Sequence, residues 1–370
     1  MRSIFLTGAT GVIGSALVPL FLKDKDTQLY LLIRATSSEH LRQRLDELFQ
    51  FWQIDQRDEQ IRERIEPLRG DTSLHQFGLE PEKYAFLCRK VNCIVHSAAN
   101  VKMNLPLEEA RASSVHSAQE IIEFGFACKA NGVLDKLEVV STVGVAGKSQ
   151  GIVLEQPIKN KREFHNTYEQ AKAEAENLFF DALNKGLPIT IHRPSMVVGD
   201  SQTGKVIHKQ VFYYLCQFLS GKSTNGFLPR IEKVRLDIIP TDYVAQAIYL
   251  SSGKDNSVGQ VFHLCSGTKE SIYLSDLTLM LRKIYLQNRD NLPRIFYLPL
   301  YLFKCLLLVF ILSTNDKQKR ALKNLHIFLS YANDSQIFDN RIADSYFSSL
   351  GLNIPSVKNY LNQVVTFKNT

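Results

Sequence analysis

The sequence predicts an α/β protein built on a doubly wound parallel sheet, followed by a smaller, mostly helical part. Three observations carry this prediction: a glycine-rich turn directly after the first apolar segment, a regular alternation of strand and helix patterns as far as about residue 265, and a looser pattern beyond it. Alternating strands and helices are typical of a parallel sheet with helices on both faces. At 370 residues the chain is long enough for one large domain with an additional lobe.

The glycine-rich turn is the most informative local feature. Gly8, Gly11 and Gly14 stand between a short apolar strand and the start of a helix. In such a turn the first glycine permits the tight bend, the second lets the backbone approach a pyrophosphate, and the third lets the helix pack against the strand. The N-terminus of the helix offers N–H groups and a partial positive charge to phosphates. Because strand and helix flank the glycines in the required order, we predict a dinucleotide site rather than a plain structural turn.

The remaining elements follow from apolar runs and helical spacing. Strands are predicted at 28–34, 91–99, 137–142, 188–193 and 260–264, and helices at 41–52, 121–128, 168–183 and 206–219. Residues 235–248 are interpreted as a strand, a turn and a helix. We therefore predict a dinucleotide-binding domain at 1–205, to which 236–265 return, and a substrate lobe made of 206–235 and 266–370.

Composition narrows the function classes. The chain is 45% hydrophobic and 22% charged, with a net charge of +7 that suits anionic ligands such as a phosphorylated cofactor or an acidic carrier protein. A solvated basic surface explains that charge equally well. No dense Lys/Arg stripe with interleaved aromatic residues is present, so a nucleic-acid partner is not expected. None of the six cysteines forms C-x-x-C, which predicts buried reduced thiols in a cytoplasmic protein and no metal site. The apolar start belongs to the first strand, and the glycine turn follows too soon for a signal peptide, so none is expected.

The segment 295–312 is strongly apolar and allows three interpretations. Its apolar run is shorter than the roughly 20 residues of a spanning helix, Pro299 interrupts its start, and Lys304 near its middle costs roughly 2.5–3.5 kcal/mol on insertion. A basic cluster follows at Lys317, Lys319, Arg320 and Lys323. A helix on an anionic membrane surface and a buried helix of the lobe are both favoured over a true span.

Tyr168 and Lys172 form the second chemical signal. Residues four apart share one face of a helix, so the lysine charge lies one turn from the phenol and is expected to lower its pKa. A tyrosine of this kind acts as a general acid or base. The predicted strand before this helix ends at Ser141 and Thr142, either of which could polarise a substrate carbonyl beside Tyr168.

These motifs together resemble the extended short-chain dehydrogenase/reductase superfamily, whose fold is of the Rossmann type. The segments that carry the resemblance are Thr7–Gly14, His96–Ala99, Val140–Thr142, Tyr168 with Lys172, and Arg193–Gly199. The resemblance implies a catalytic set of Thr142, Tyr168 and Lys172, with Ser141 as the second choice for the hydroxyl. His96 is expected to be a packed structural residue, and His165 is a weaker candidate for the substrate mouth.

A narrower likeness is to thioester reductases, including those at the ends of carboxylic acid reductases and peptide synthetases. It rests on Leu32–Ala35, His96–Val101, Arg193–Gly204 and Asp237–Ala245. Fatty acyl-CoA reductases share much of this pattern. No carrier or adenylation domain accompanies these motifs, so we expect a free-standing reductase.

The cofactor preference has a physical basis. An acidic residue after the second strand suits NAD, whereas an arginine accommodates the 2′-phosphate of NADP. Arg34 stands at this position and Arg44 follows one helix away, which favours NADPH. The resemblance places Asp71 near the adenine. The predicted cofactor contacts are Gly8, Thr10, Gly11, Val12, Ile13, Gly14, Arg34, Arg44, Asp71, Ala98, Tyr168, Lys172 and Ser195.

The resulting hypothesis is an NADPH-dependent reductase of an acyl thioester, on coenzyme A or an acyl carrier protein, giving an aldehyde and, after a second cycle, an alcohol. Two alternatives stay open. One is a dehydrogenase, reductase or epimerase acting on a sugar nucleotide or a steroid-like alcohol, because the same site serves such enzymes. The other is a non-catalytic dinucleotide-binding protein on a membrane. Acyl length, carrier, oligomeric state and lipid contact of 295–312 are not determined by the sequence.

Overall fold

The computed structural model describes residues 2–55, 57–230, 234–313, 331 and 336–367. The strands are β1 (Arg2–Thr7), β2 (Thr27–Ile33), β3 (Ile65–Arg69), β4 (Cys93–His96), β5 (Lys136–Val140), β6 (Ile152–Val153), β7 (Ile189–Pro194), β8 (Met196–Val198), β9 (Phe227–Pro229), β10 (Arg235–Leu236), β11 (Ile238–Pro240), β12 (Val261–Leu264), β13 (Ile272–Tyr273), β14 (Phe296–Leu298) and β15 (Ile337–Phe338). The helices are α1 (Val12–Phe21), α2 (Ser38–Trp52), α3 (Glu59–Arg62), α4 (Pro81–Cys88), α5 (Leu107–Arg111), α6 (Ser117–Ala130), α7 (Thr167–Asn184), α8 (Val211–Leu219), α9 (Thr241–Ser252), α10 (Gly267–Glu270), α11 (Leu274–Gln287), α12 (Leu300–Ser313), α13 (Arg341–Ser349) and α14 (Val357–Thr366).

Seven of these strands form one parallel sheet in the order β3-β2-β1-β4-β5-β7-β12. The predicted doubly wound sheet is confirmed, including the return of β12 to the sheet beside β7. The strand order reverses between β1 and β4, which pair with Thr7 opposite His96. In open sheets of this kind, ligands bind outside the carboxyl ends of the strands at this reversal.

Alternating side chains of β1 pack against helices on the two opposite faces of the sheet. Ile4 and Leu6 pack into one core cluster with α1, α2 and α9, whereas Phe5 packs into a second cluster with α4, α6 and α7. Successive residues of a strand point to opposite faces of its sheet, so both faces of β1 are buried. Its apolar character throughout is what a central parallel strand requires.

The described residues in the last third of the chain are mostly helical, with short strand pairs between the helices. β15 pairs with β6, which ties the C-terminal part to the loop after β5. The predicted helix at 206–219 begins only at Val211. Val206 is non-helical and 3% exposed, so its apolar side chain serves core packing rather than helical periodicity. The predicted division of the chain into a domain and a lobe stays a prediction.

The apolar segment 295–312 forms β14 and most of the 14-residue helix α12. Among the described residues, no helix is both long and apolar enough to cross a membrane. One side of α12 is packed, with Phe303 and Leu307 almost fully buried, while Tyr301 and Leu302 are exposed. The packed face agrees with a buried helix of the lobe, and contact of the exposed face with lipid stays a prediction. The basic cluster at 317–323 lies outside the described residues.

Candidate active site

The glycine turn has the geometry of a phosphate cradle. Gly8 has a φ of +78°, and a Cβ at Gly14 would lie 2.1 Å from the Gly8 carbonyl oxygen. The amide of Gly11 donates to that same oxygen at 2.8 Å. Gly11 caps α1 without a side-chain hydrogen bond, which leaves the N–H groups at Val12, Ile13 and Gly14 without a capping acceptor. These features fit the pyrophosphate of a dinucleotide.

The turn after β4 closes against the glycine turn. The Ala98 amide donates to Thr7 Oγ1 at 3.2 Å, and a Cβ at Gly8 would come within 2.7 Å of the Ala98 nitrogen. His96 Nδ1 lies 3.0 Å from the same hydroxyl. Burial, with a contribution from the Lys172 charge, lowers the pKa of His96 to about 3. A buried neutral histidine bonded in this way agrees with the expected structural role.

Two arginines meet beside the turn. Arg44 is half-buried and donates from Nη2 to Thr10 Oγ1 at 2.8 Å and from Nη1 to the Arg34 carbonyl oxygen at 2.6 Å. The Arg34 side chain lies 3.9 Å from Asp71, whose other carboxylate oxygen accepts the amide and hydroxyl of Ser73. Burial, and secondarily the Arg34 charge, lowers the pKa of Arg44. The structure thus places two cations next to each other at the end of β2.

The candidate catalytic side chains lie at the carboxyl end of β5. Asn166 caps α7 by accepting the Glu169 amide at 3.0 Å, which places Tyr168 in the first turn of the helix. Thr142 follows β5 and begins a 3₁₀ turn by accepting the Gly144 amide at 3.1 Å. Lys172 Nζ donates to the Val140 carbonyl oxygen at 2.8 Å, so helix and strand are joined beside Tyr168.

The electrostatics of Tyr168 differ from the sequence-based expectation. Burial raises the pKa of Tyr168 to about 12; the Glu169 charge adds to this, and a hydrogen bond with Thr142 opposes it. The predicted lowering by Lys172 is wrong for this structure, because desolvation of the phenolate dominates and the ammonium group is bonded to β5 instead. Burial lowers the pKa of Lys172 to about 8, against the opposing effect of the Glu176 carboxylate. Tyr168 is therefore a proton donor at neutral pH.

The hydroxyls of Ser141 and Thr142, which follow β5, lie in different surroundings. Ser141 is 5% exposed and donates to Glu176 Oε2 at 2.6 Å, whereas Thr142 is half-buried and lies close enough to Tyr168 to affect the pKa of its phenol. A hydroxyl committed to a buried carboxylate is not available to polarise a substrate carbonyl. This geometry favours Thr142 over Ser141.

Sequence reasoning missed a buried ion pair behind the site. Arg193 is fully buried and bonds Glu176 through Nε at 3.0 Å and Nη2 at 2.6 Å. The network continues from Arg193 Nη1 to His263 Nε2 at 3.2 Å, and from His263 Nδ1 to the Asp339 carbonyl oxygen at 2.7 Å. A signal was present, since Glu176 follows Lys172 by the same four residues that separate Lys172 from Tyr168.

His165, a weaker candidate for the substrate mouth, is enclosed. Its side chain is 3% exposed, its Nδ1 lies 3.1 Å from Glu169, and its ring stacks on Tyr331 with centroids 4.2 Å apart. The Tyr331 hydroxyl also bonds Glu169 at 2.5 Å and accepts from Asn166 at 2.7 Å. The C-terminal part thus contacts the first turn of α7 directly beside Tyr168.

Comparison with known proteins places the chain in a family. An NAD-binding family described as "Male sterility protein" matches residues 6–248. The chain belongs to this family. It is 29% identical over 264 residues to the isonitrile lipopeptide synthase of Streptomyces coeruleorubidus, and 26% identical over 266 residues to L-2-aminoadipate reductase of Schizosaccharomyces pombe. These matches cover 70% and 68% of this chain but only 17% and 18% of the relatives, so the chain spans a small part of their length.

A solved structure agrees over nearly the whole chain. The terminal R domain of the myxalamid PKS-NRPS pathway superposes with a TM-score of 0.81 at 26% identity, covering 99% of this chain and 89% of that domain. The UDP-glucuronic acid 4-epimerase of Bacillus cereus, solved with NAD, shares only the fold, at a TM-score of 0.59 and 21% identity, over 80% of this chain and 87% of that one. The predicted membership of the extended short-chain dehydrogenase/reductases is confirmed by the family match, which also agrees with a nicotinamide dinucleotide cofactor. The R-domain likeness agrees with the predicted thioester reductase branch.

The buried ion pair yields a prediction for stability. Glu176→Gln leaves the Arg193 charge without its counter-charge and should lower the free energy of unfolding by about 3–5 kcal/mol. Glu174→Gln, two residues earlier on α7, breaks a pair with Arg111 in which both side chains are about one-third exposed, and should cost no more than about 1 kcal/mol. Urea denaturation of both variants measures this difference. Equal losses would contradict the role given to the Glu176 pair.

Proposed function

We propose that this protein is an NADPH-dependent reductase that converts an acyl thioester into an aldehyde. The observation that carries the proposal is the meeting of Thr142, Tyr168 and Lys172 at the carboxyl end of β5, two strands from the glycine turn at the end of β1. The reductase names of several relatives and the R-domain likeness over 99% of the chain support the same reaction class. The chain spans only a part of those relatives, so its own substrate is a proposal drawn from this support.

The residues have distinct roles in this reaction. The bound reduced nicotinamide supplies a hydride to the thioester carbonyl carbon. Thr142 and Tyr168 donate hydrogen bonds to the carbonyl oxygen, where negative charge develops, and Tyr168 gives up its proton to that oxygen. Lys172, held against the Val140 carbonyl, carries a positive charge one helix turn from Tyr168, where it would offset part of the negative charge that develops at the reacting oxygen.

The hydride-addition product then breaks down with Tyr168 as the proton acceptor. The hemithioacetal loses its carbon–sulfur bond and releases the aldehyde and a thiolate, which takes up a proton from water. Tyr168 must accept a proton from the hemithioacetal hydroxyl in this step, which returns it to its starting form. A second round of hydride addition to the aldehyde would give the alcohol through the same hydroxyls.

The proposed substrate is carried by coenzyme A or by a carrier protein. Both carriers are anionic, which agrees with the net charge of +7. Several relatives are named as peptide or lipopeptide synthases or synthetases, which supports a thioester on a carrier domain as the substrate. We therefore propose both a carrier-bound thioester and an acyl-CoA as substrates, and turnover of a series of such thioesters distinguishes them.

The preference for NADPH rests on the paired arginines. Arg44 bridges Thr10 of the glycine turn and the end of β2, and Arg34 is close enough to lower its pKa. A 2′-phosphate at this place would relieve the repulsion between the two cations and accept their hydrogen bonds. An unphosphorylated ribose offers no such compensation.

Replacing Tyr168 tests the reaction. Tyr168→Phe should lower kcat/KM by about 10²–10⁴-fold without weakening NADPH binding, because only the proton donor is lost. The measurement is NADPH oxidation with a chain-length series of acyl-CoA and acyl-carrier-protein thioesters, with products identified by mass. Tyr273→Phe, which removes the hydroxyl of an exposed tyrosine, is the matched control.

Two outcomes would overturn the proposal. A Tyr168→Phe variant with undiminished turnover removes the assigned acid. A folded protein that binds NADPH and turns over no thioester would shift the function to a sugar nucleotide or steroid-like alcohol, or, without any turnover, to a dinucleotide-binding protein that is not an enzyme.

Cofactor selectivity has its own test. Arg44→Gln should raise the Kd for NADPH by about 10–100-fold, the loss typical of a hydrogen bond to a charged group, while the Kd for NADH changes little. Arg42→Gln is the control, because Arg42 lies on the same helix with its side chain 72% exposed. Fluorescence titration measures the Kd of NADPH and of NADH for the wild type and for both variants. Equal weakening of NADPH and NADH would contradict the 2′-phosphate assignment.

The pKa of Lys172 predicts a pH dependence. Because burial lowers this pKa to about 8, the ammonium charge is present below that pH and is lost above it, so kcat/KM should fall as the pH rises through about 8. The neighbouring His96 stays neutral throughout this range, and Tyr168 titrates only near 12. Lys172→Arg keeps the charge and should move the fall to higher pH. A pH–rate profile with the same alkaline limb in both proteins would assign the limb to another group.

A further inference from the structure

Helix α12 is strongly apolar, and within residues 300–307, whose side chains the structure describes, one face is packed and another is exposed. Phe303 and Leu307, one turn apart, are 0% and 3% exposed, and the Phe303 ring lies 5.7 Å from that of Phe218. On the other side Tyr301 is 68% and Leu302 is 45% exposed. A helix that is hydrophobic all round is normally buried on all sides, so the exposed side of α12 needs a covering partner.

The exposed surface continues into the strand before the helix. Phe296 and Tyr297 of β14 are 50% and 51% exposed. Phe296, Tyr297, Tyr301 and Leu302, called here the apolar ridge, are four of the thirteen exposed large hydrophobic residues in the described part of the chain, and they fall within seven positions. Such a concentration marks an interaction surface rather than scattered exposure.

The charged residues nearest to the ridge in sequence are basic. Arg294 and Lys304 are both exposed, and the guanidinium of Arg294 lies 5.9 Å from the centre of the Phe296 ring. The sequence from residue 291 to 313 contains no Asp or Glu. From 314 to 333 the sequence adds four basic residues and a single acid, Asp316.

These features fit an anionic lipid surface better than other partners. Aromatic rings with nearby lysine and arginine are the composition of interfacial segments, in which rings enter the headgroup region and cations contact lipid phosphates. A second copy of the protein on this face would bring like charges together.

We propose that the apolar ridge, flanked by Arg294 and Lys304, docks the protein on the surface of an anionic membrane. The ridge is carried by α12 and β14 rather than by the candidate active site, so this proposal does not depend on the proposed reaction. Binding should require both components: negatively charged lipid for the cations and insertion of the ridge for affinity.

Vesicle flotation of the full chain tests this. Wild-type protein should float with vesicles of phosphatidylcholine containing phosphatidylglycerol at least tenfold more than with phosphatidylcholine alone, and raised salt should weaken the binding. The double variant Tyr301→Ser/Leu302→Ser should lose at least tenfold in binding, and Arg294→Glu/Lys304→Glu should abolish the preference for anionic vesicles. All replaced side chains are exposed, so thermal unfolding should be unchanged.

The matched control is Leu74→Ser/Ile342→Ser, which removes two side chains of similar exposure, 53% and 47%, outside the ridge, and it should float like wild type. Failure of the folded protein to bind anionic vesicles would overturn the proposal. Equal binding by wild type and the ridge variant would do the same. A dimer seen by gel filtration that the ridge variant dissociates, with no vesicle binding, would identify a second copy as the occupant and also overturn it.

Discussion

The buried pair between Glu176 and Arg193 is the interaction on which the catalytic end of the molecule depends. Two opposite charges with almost no solvent exposure are stable only while each keeps its partner, which makes their geometry strict. Glu176 joins α7 to β7 through Arg193 and to β5 through Ser141. Tyr168 and Lys172 lie on the same helix, two turns and one turn before Glu176. By fixing α7 against the sheet, the ion pair therefore helps to position both side chains at the carboxyl ends of the strands.

The two ends of the site are built by different physical means. At the proposed cofactor end the backbone itself would form the binding surface, since Gly8 and Gly14 leave no room for a Cβ and the start of α1 offers its amides. At the catalytic end side chains act, and their protonation states follow from burial. Desolvation keeps Tyr168 protonated and draws the pKa of Lys172 down to about 8, so one helix turn holds a proton donor and a titratable cation.

Features that depend on local sequence patterns could be predicted from the sequence, whereas features that depend on long-range contacts could not. The strands, the glycine turn and the spacing of Tyr168 and Lys172 are properties of neighbouring residues, and the structure contains them. Thr142 could not be separated from Ser141 by sequence, because the difference lies in the contact of Ser141 with a residue 35 positions away. The predicted direction of the Tyr168 pKa shift was wrong for the same reason. The burial of Tyr168 depends on the whole fold around α7 and cannot be inferred from a lysine four residues away in the sequence.

Charge illustrates the same distinction at the scale of the whole chain. A net charge of +7 agreed equally with a phosphorylated cofactor, an acidic carrier and a solvated surface. The structure assigns individual cations to different tasks: Arg193 is neutralised inside the protein, Arg44 lies beside the glycine turn, and Lys304 stands exposed on α12. Only the last two are available to anions, and they belong to separate surfaces. The cofactor proposed beside Arg44 and the lipid surface proposed beside Lys304 would therefore use independent groups, a separation that the total charge conceals.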